Sequence, residues 1–334
     1  MGPKKSNDIC IPLRGFGTFQ SDPKTYPPGT ARDATLTALR VGYRHVDTAY
    51  AYGNGQMERE VGEAIRQSGI SRSELFIVTK LHNTFHHPED VEMGLDMSLQ
   101  NLQLDYVDLF LMHNPYAYAK GPEFSTLRRP DGSGKPLMDL ELSRRYPDTW
   151  RAMAALVATG KVRFIGTSSA RLSNFNILKT KRLIQETGIL PAANQVEMNP
   201  YFPQYDLFEY CVSKNIQVIA HCPLGGALAP EVARRSGGGP LGDDTIKSIA
   251  DAHGKTPAQI ILAWLTGRGI AVVPKSAKPS RIEENFNVLF ALTEAENEQI
   301  STLMGVRGEK GVRNLANAEH IGFDVFDEEF DQPI

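Results

Sequence analysis

Residues 45–52 read HVDTAYAY, residues 75–81 read LFIVTKL and residues 107–113 read VDLFLMH. Each is a short apolar run with a reactive side chain at or just beyond its end: Asp47 and Tyr52 in the first, Lys80 in the second, His113 in the third. Strands buried on both faces of a parallel sheet stay apolar to their ends. A carboxylate, a phenol, an ammonium and an imidazole at successive strand ends therefore mark a built site on one rim of such a sheet.

Similar runs recur along the whole chain. Strands are expected at 13–19, 45–49, 75–81, 107–113, 162–168, 192–199, 216–223 and 271–276. Helical stretches separate them, with Pro88 opening the segment to Gln103 and Pro257 the segment to Gly267, while Gly160 and Gly188 close two others. In the Pro257 segment, Ile260, Ile261, Trp264 and Leu265 share one helical face and read as core. The first four strands start roughly 30 residues apart, the length of one strand, crossover helix and two turns. That rhythm breaks after His113, where a loop runs to about Asp148, and again after Pro223, where Gly225–Gly226 and Gly237–Gly239 flank a second excursion.

Both breaks follow a strand's C-terminal end, the face that carries the active site in a (β/α)8 barrel. A doubly wound sheet would need a G-x-G-x-x-G turn after the first strand, whereas residues 15–20, GFGTFQ, lack the third glycine and a helix directly after it. The expected fold is one α/β domain spanning residues 1–334. It is a (β/α)8 TIM barrel with long loops after strands 4 and 7, and residues 1–10 and 318–334 are peripheral or flexible.

Composition narrows the function classes. The chain has 334 residues, 41% hydrophobic and 22% charged, enough for a large core, and a net charge of −3. Without a basic stripe there is no electrostatic footprint for nucleic acid, and no apolar run approaches a membrane span. Residues 1–7, MGPKKSN, carry no apolar stretch of the kind a secretory leader needs. Gly2 and Ser6 fit the loose acylation pattern, but Pro3 and the weakness of a single acyl anchor argue against it. Cys10, Cys211 and Cys222 are odd in number and far apart, so a reducing cytoplasm is expected. His82, His86 and His87 have no acidic or cysteine partner at metal-binding spacing, so a solvated loop and no metal are expected. The acidic stretch 324–331 reads as a solvated surface segment.

Longer blocks carry a resemblance. Residues 42–49, GYRHVDTA, followed by Tyr52-Gly53-Asn54, resemble the signature of the aldo-keto reductase family. So do residues 108–113, DLFLMH, residues 194–201, NQVEMNPY, and Pro274-Lys275-Ser276, in the family's order from about Gly15 to about Leu303. The resemblance implies a (β/α)8 barrel and an NADP-dependent oxidoreductase that reversibly reduces an aldehyde or ketone to an alcohol without a metal.

Chemistry assigns roles to the four side chains. Hydride arriving at a carbonyl carbon pushes charge onto oxygen, which needs a proton donor and a polar cradle. Tyr52 is the candidate acid, Lys80 would lower its pKa, Asp47 would keep Lys80 protonated, and His113 would hold the carbonyl oxygen beside Tyr52. Taken singly, Asp47 and Lys80 could be an ordinary buried ion pair and His113 a satisfied core histidine. All four in register favour catalysis.

The resemblance further implies cofactor contacts for NADPH/NADP+. Ser168, Ser169 and Gln195 match positions that hold the nicotinamide carboxamide, and Lys275, Ser276 and Arg281 those that grip the 2′-phosphate. Glu284 and Asn285 match adenine contacts, and Gly17, Thr18, Asp47, His221, Cys222 and Leu224 are further cofactor positions. Two cations and a hydroxyl after the last strand suit a phosphate on physical grounds as well.

Departures from the family pattern are informative. Ser168-Ser169-Ala170 stands where Ser-Asn-Phe is common, His221 where a tyrosine stacks on the nicotinamide, and Cys222 at a common serine position. Phe19 and Asn114 fall where tryptophans often line the substrate pocket, which implies a wider, more polar site shared with Tyr52 and His113. The loop over residues 116–146 is expected to cover the substrate, or else to serve as a surface or dimer element. The expected partner is a small-molecule carbonyl compound, bound by a monomer or weak homodimer. A second reading stays open: a cofactor-binding regulatory protein on the same fold, resembling ion-channel β subunits.

Overall fold

A computed structural model of the chain describes residues 9–20, 24–168, 175–226 and 239–304. Ser169, the acidic stretch 324–331 and most of the N-terminal segment lie outside the described residues, as does much of the second excursion.

Eight strands form one parallel sheet: β1 Gly15–Gly17, β2 His45–Asp47, β3 Phe76–Leu81, β4 Val107–Met112, β7 Val162–Ser168, β8 Ala193–Glu197, β9 Gln217–His221 and β10 Ala271–Val272. They neighbour one another in chain order. A separate two-stranded hairpin, β5 Ala117–Tyr118 and β6 Met138–Asp139, lies in the excursion after β4. The ends of the sheet meet: Arg14 bridges Val272 in parallel, Val272 N donates to Leu13 O at 2.8 Å, and Gly17 N donates to Pro274 O at 3.0 Å. The expected (β/α)8 barrel is the observed architecture. Among the described residues, no helix is long and apolar enough to cross a membrane.

The first and last strands are much shorter than expected, at Gly15–Gly17 and Ala271–Val272. Their flanks close the barrel through single bridges rather than a continuous ladder. Crowding at that seam explains the glycines of β1. A Cβ on Gly15 would meet His45 Nδ1 at 2.6 Å, and one on Gly17 would meet Val273 O at 2.7 Å.

Side chains alternate across each strand, so one face fills the barrel and the other packs against helices. The inner face holds Phe76, Val78, Leu109, Leu111, Ala193, Ile219, Ala271 and Val273. Asp108, at the start of β4, is fully buried and accepts from Arg72 Nη2 at 2.7 Å, Arg163 Nη1 at 2.8 Å and Ile77 N at 2.9 Å. It belongs to the rim opposite the reactive strand ends.

The helix α1 Thr30–Val41 follows Gly29, which has no side chain with which to cap it. Glu60, from α2 Gln56–Ser68, does so instead, accepting from the backbone N–H of Gly29 and Ala31 at 2.9 Å each and of Arg32 at 3.2 Å. Helix α3 runs over Val91–Leu102, behind a short 3₁₀ turn that starts at Pro88. The excursion after β4 holds regular structure of its own. It carries the β5–β6 hairpin and a short helix, α4 Leu140–Arg144, and ends at Tyr146, where α5 Tyr146–Ala155 begins.

That excursion is latched onto the segment after β3. Asn83 Nδ2 donates to Tyr116 O at 2.7 Å, Lys120 pairs with Asp90, and the Phe85 and Phe124 rings stack with centroids 4.6 Å apart. The cover overturns the expectation of a solvated loop around His82, His86 and His87. His86 is fully buried, His82 and His87 are half-buried, and neither ring nitrogen of His86 has a hydrogen-bond partner among the described residues. Burial pushes the His82 imidazole down to about 4, helped by the charge of Arg128, and the His86 imidazole down to about 3, helped by its two histidine neighbours.

A histidine kept neutral in the folded state takes up a proton on unfolding. Stability should therefore fall as pH drops below the ordinary imidazole value of 6.5, and this loss should cease only below the folded value of about 3 for His86. In chemical denaturation at pH 7 and pH 4, His86→Leu should reduce the acid-induced loss of stability by about 3 kcal/mol. An unchanged pH dependence would count against this origin.

Candidate active site

The interior apolar layer ends in a polar one, and strand alternation explains why. Lys80 stands two residues beyond Val78, His113 beyond Leu111, Gln195 beyond Ala193 and His221 beyond Ile219. All therefore share the inward face at the C-terminal rim. In β2, Asp47 pairs in register with Gly17 of β1 and Val78 of β3, which sets it one step below Lys80.

Asp47 is the junction of the site. Its Oδ1 accepts from Lys80 Nζ at 2.6 Å and its Oδ2 accepts from Gln195 Nε2 at 2.6 Å. Its backbone carbonyl accepts from both Thr18 N at 3.1 Å and Thr18 Oγ1 at 3.0 Å. Lys80 Nζ also donates to Thr48 O at 2.9 Å and to the Tyr52 hydroxyl at 3.3 Å. Tyr52 leaves β2 on a tight turn through Gly53, Asn54 and Gly55, all with positive φ. Its ring meets His113 edge-on at 5.9 Å and Phe19 edge-on at 5.0 Å between centroids. The structure thus gathers Asp47, Tyr52, Lys80 and His113 into one cluster, with Phe19 on its exposed side.

Protonation states follow from burial and neighbours. Burial disfavours the Lys80 ammonium, but the charge of Asp47 and its hydrogen bonds outweigh that and hold Lys80 above the ordinary lysine value. His113 lies well below the ordinary imidazole value because it is buried and faces Lys80, so it is neutral at pH 7. Tyr52 corrects the sequence-based expectation. Lys80 does lower its pKa, but burial outweighs the lysine and the phenol lies above its ordinary value. At rest the site holds a charged lysine, a protonated tyrosine and a neutral histidine.

The remaining predicted residues fall into two groups. Ser168 Oγ donates to Gln195 Oε1 at 3.5 Å, which joins Ser168 and Gln195 to the Asp47 cluster. His221 ends β9 half-buried, Cys222 follows with φ 47°, and Leu224 is half-buried in the same turn. The second group lies after β10. Lys275 is half-buried, Ser276 is buried and accepts from Lys278 N at 3.1 Å, and Arg281 is exposed with no partner among the described residues. Asn285 is buried, and Glu284 accepts from Thr256 Oγ1 at 2.6 Å, so its carboxylate already braces a helix start.

Asn114 is buried and donates from Nδ2 to Asn83 Oδ1 at 3.0 Å. Asn83, absent from the sequence-based site, thereby ties the residue after His113 to the segment after β3. Nothing in its local sequence marks it. The Gln195–Asp47 bond was equally out of reach, since it joins strands from opposite halves of the chain.

The Aldo/keto reductase family model matches residues 14–304. The chain belongs to the aldo-keto reductase family. It is 42% identical to aldo-keto reductase family 1 member A1 of Xenopus tropicalis over 301 residues, 88% of this chain and 85% of that one. It is 38% identical to a glycerol 2-dehydrogenase (NADP(+)) of Hypocrea jecorina over 325 residues, 96% of each. Among solved structures, the aldose reductase from Schistosoma japonicum superposes with a TM-score of 0.81 at 34% identity, covering 98% of this chain and 99% of that one. The chain is an oxidoreductase of this family.

Removing one member of a buried ion pair leaves the other uncompensated. Asp47→Ala should therefore destabilise the protein by about 3–5 kcal/mol in urea denaturation. Adding Lys80→Met should recover a large part of that loss, whereas a double variant no more stable than the single one would show that the pair does not anchor the rim.

Proposed function

We propose that the protein catalyses the NADPH-dependent, reversible reduction of an aldehyde or ketone to an alcohol, with Tyr52 as proton donor. The observation that carries this reading is the position of Lys80, hydrogen-bonded at once to Asp47 and to the Tyr52 hydroxyl, with the His113 ring against Tyr52. When bound, the reduced nicotinamide supplies hydride to the carbonyl carbon. As negative charge develops on the carbonyl oxygen, Tyr52 releases its proton to it, and Lys80, 3.3 Å from the hydroxyl, stabilises the phenolate left behind.

A raised pKa at rest suits this role. Tyr52 keeps its proton until the substrate oxygen needs it, so the lysine's stabilisation is realised in the transition state and not in the resting enzyme. Neutral His113 donates a ring N–H to the same oxygen and fixes its position. Asp47 acts through Lys80, keeping it charged.

The donor set fits the cofactor. Lys275, Ser276 and Arg281 offer two cations and a hydroxyl for a 2′-phosphate, and His221 offers a flat face at the end of β9. Gln195, Ser168 and Thr18, joined to Asp47 directly or through Gln195, would hold the nicotinamide end, and the Hypocrea relative carries NADP(+) in its name. Asn114 and Phe19 favour a small or medium polar carbonyl compound. We place the enzyme in the cytoplasm, where the thiols of Cys10, Cys211 and Cys222 would stay reduced.

The test is NADPH consumption over a panel of aldehydes and ketones. Tyr52→Phe should lower kcat by about 100-fold or more with NADPH affinity kept. Turnover that survives the change would refute Tyr52 as the acid, and equal kcat/KM with NADPH and NADH would refute the cofactor assignment.

A further inference from the structure

The ammonium of Lys275 stands 3.7 Å from the centroid of the Tyr26 ring. The two residues come from opposite ends of the chain, and barrel closure explains their meeting. Because β1 and β10 are neighbours, the loops leaving their C-terminal ends share one stretch of rim. Tyr26 lies on the loop from β1 to α1, and Lys275 on the loop from β10 to the helix over Pro279–Phe286.

The backbone next to each residue is tied down. Pro27 and Pro28 follow Tyr26, Thr30 donates to Pro27 O from N at 3.1 Å and from Oγ1 at 2.6 Å, and Glu60 grips the next three free N–H groups. Lys275 follows Pro274, whose carbonyl accepts from Gly17 N in the barrel seam. The Lys275 stem spans the gap between these two points and brings its ammonium to the Tyr26 ring.

A cation over an aromatic face is held by the ring quadrupole and not through its N–H donors. The ring therefore orients the ammonium while leaving donors available for an anion. We propose that Tyr26 is a positioning residue that holds Lys275 ready for the 2′-phosphate of NADPH and so helps select NADPH over NADH. The inference rests on the cofactor reading above. Arg281, exposed and without such a brace among the described residues, contributes charge without the same preorganisation.

The test compares dissociation constants for NADPH and NADH, read by quenching of protein fluorescence, in wild type, Tyr26→Phe, Tyr26→Ala and Lys275→Met. Tyr26→Ala should weaken NADPH binding by about three- to tenfold and leave NADH binding within about twofold. Tyr26→Phe, which keeps the ring, should bind both cofactors as the wild type does. NADH binding by Tyr26→Ala doubles as the control for folding, since a merely disrupted rim would weaken both cofactors alike, and that result would overturn the proposal. Unchanged NADPH binding in Tyr26→Ala, with a loss in Lys275→Met, would overturn the proposal alone. Unchanged NADPH binding in Lys275→Met would overturn the assignment of Lys275 to the phosphate and the role of Tyr26 with it.

Discussion

A lysine ammonium inside a parallel barrel keeps its charge only when a counter-charge is buried beside it. Asp47 is that counter-charge, and each of its carboxylate oxygens is used, one by Lys80 and one by Gln195. The three residues come from β2, β3 and β8, so the contact depends on the register of a closed sheet. Thr18, next to the seam where β1 meets β10, fixes the backbone of the same aspartate. The fold and the site thus constrain each other, since loss of closure would displace Thr18 and loss of the aspartate would strand the lysine.

The charge of Lys80 then sets the states of its neighbours. With burial, it keeps His113 neutral, and it partly offsets the burial that raises Tyr52. A charged lysine, a protonated tyrosine and a neutral histidine offer one proton to give and one N–H to orient its acceptor. This division of labour is what a carbonyl oxygen gaining charge requires. The long excursion after β4 contributes by position: it is pinned to the segment after β3 through Asn83, Lys120 and Phe124, and Asn83 also holds Asn114.

Much of this was legible because strand alternation is a local rule. Val78–Lys80 and Leu111–His113 announce an apolar interior ending in a reactive rim, and the spacing of these runs announces the barrel. What escaped was the outcome of packing between distant segments. The histidines at 82 and 86 look solvated in sequence because nothing local shows that Tyr118 of the excursion packs against His82 or that Thr149 of α5 bonds to the His86 carbonyl. The direction of the Tyr52 shift is not legible in sequence, which names the neighbouring lysine but not the depth of burial that outweighs it. The β1 and β10 strands are shorter than their apolar runs because closure needs only the Arg14–Val272 bridge and the Gly17–Pro274 hydrogen bond, and glycines at 15 and 17 admit it.

The central claim is that Lys80 acts on Tyr52 electrostatically at short range. It is tested most directly by following the Tyr52 ring with ¹³Cζ-labelled tyrosine in NMR titrations of wild type and Lys80→Met, assigned with Tyr52→Phe. Tyr52 should titrate above the ordinary phenol value in wild type and at a distinctly higher pH once the lysine is gone, with burial unopposed. The same titration curve in both proteins would contradict it.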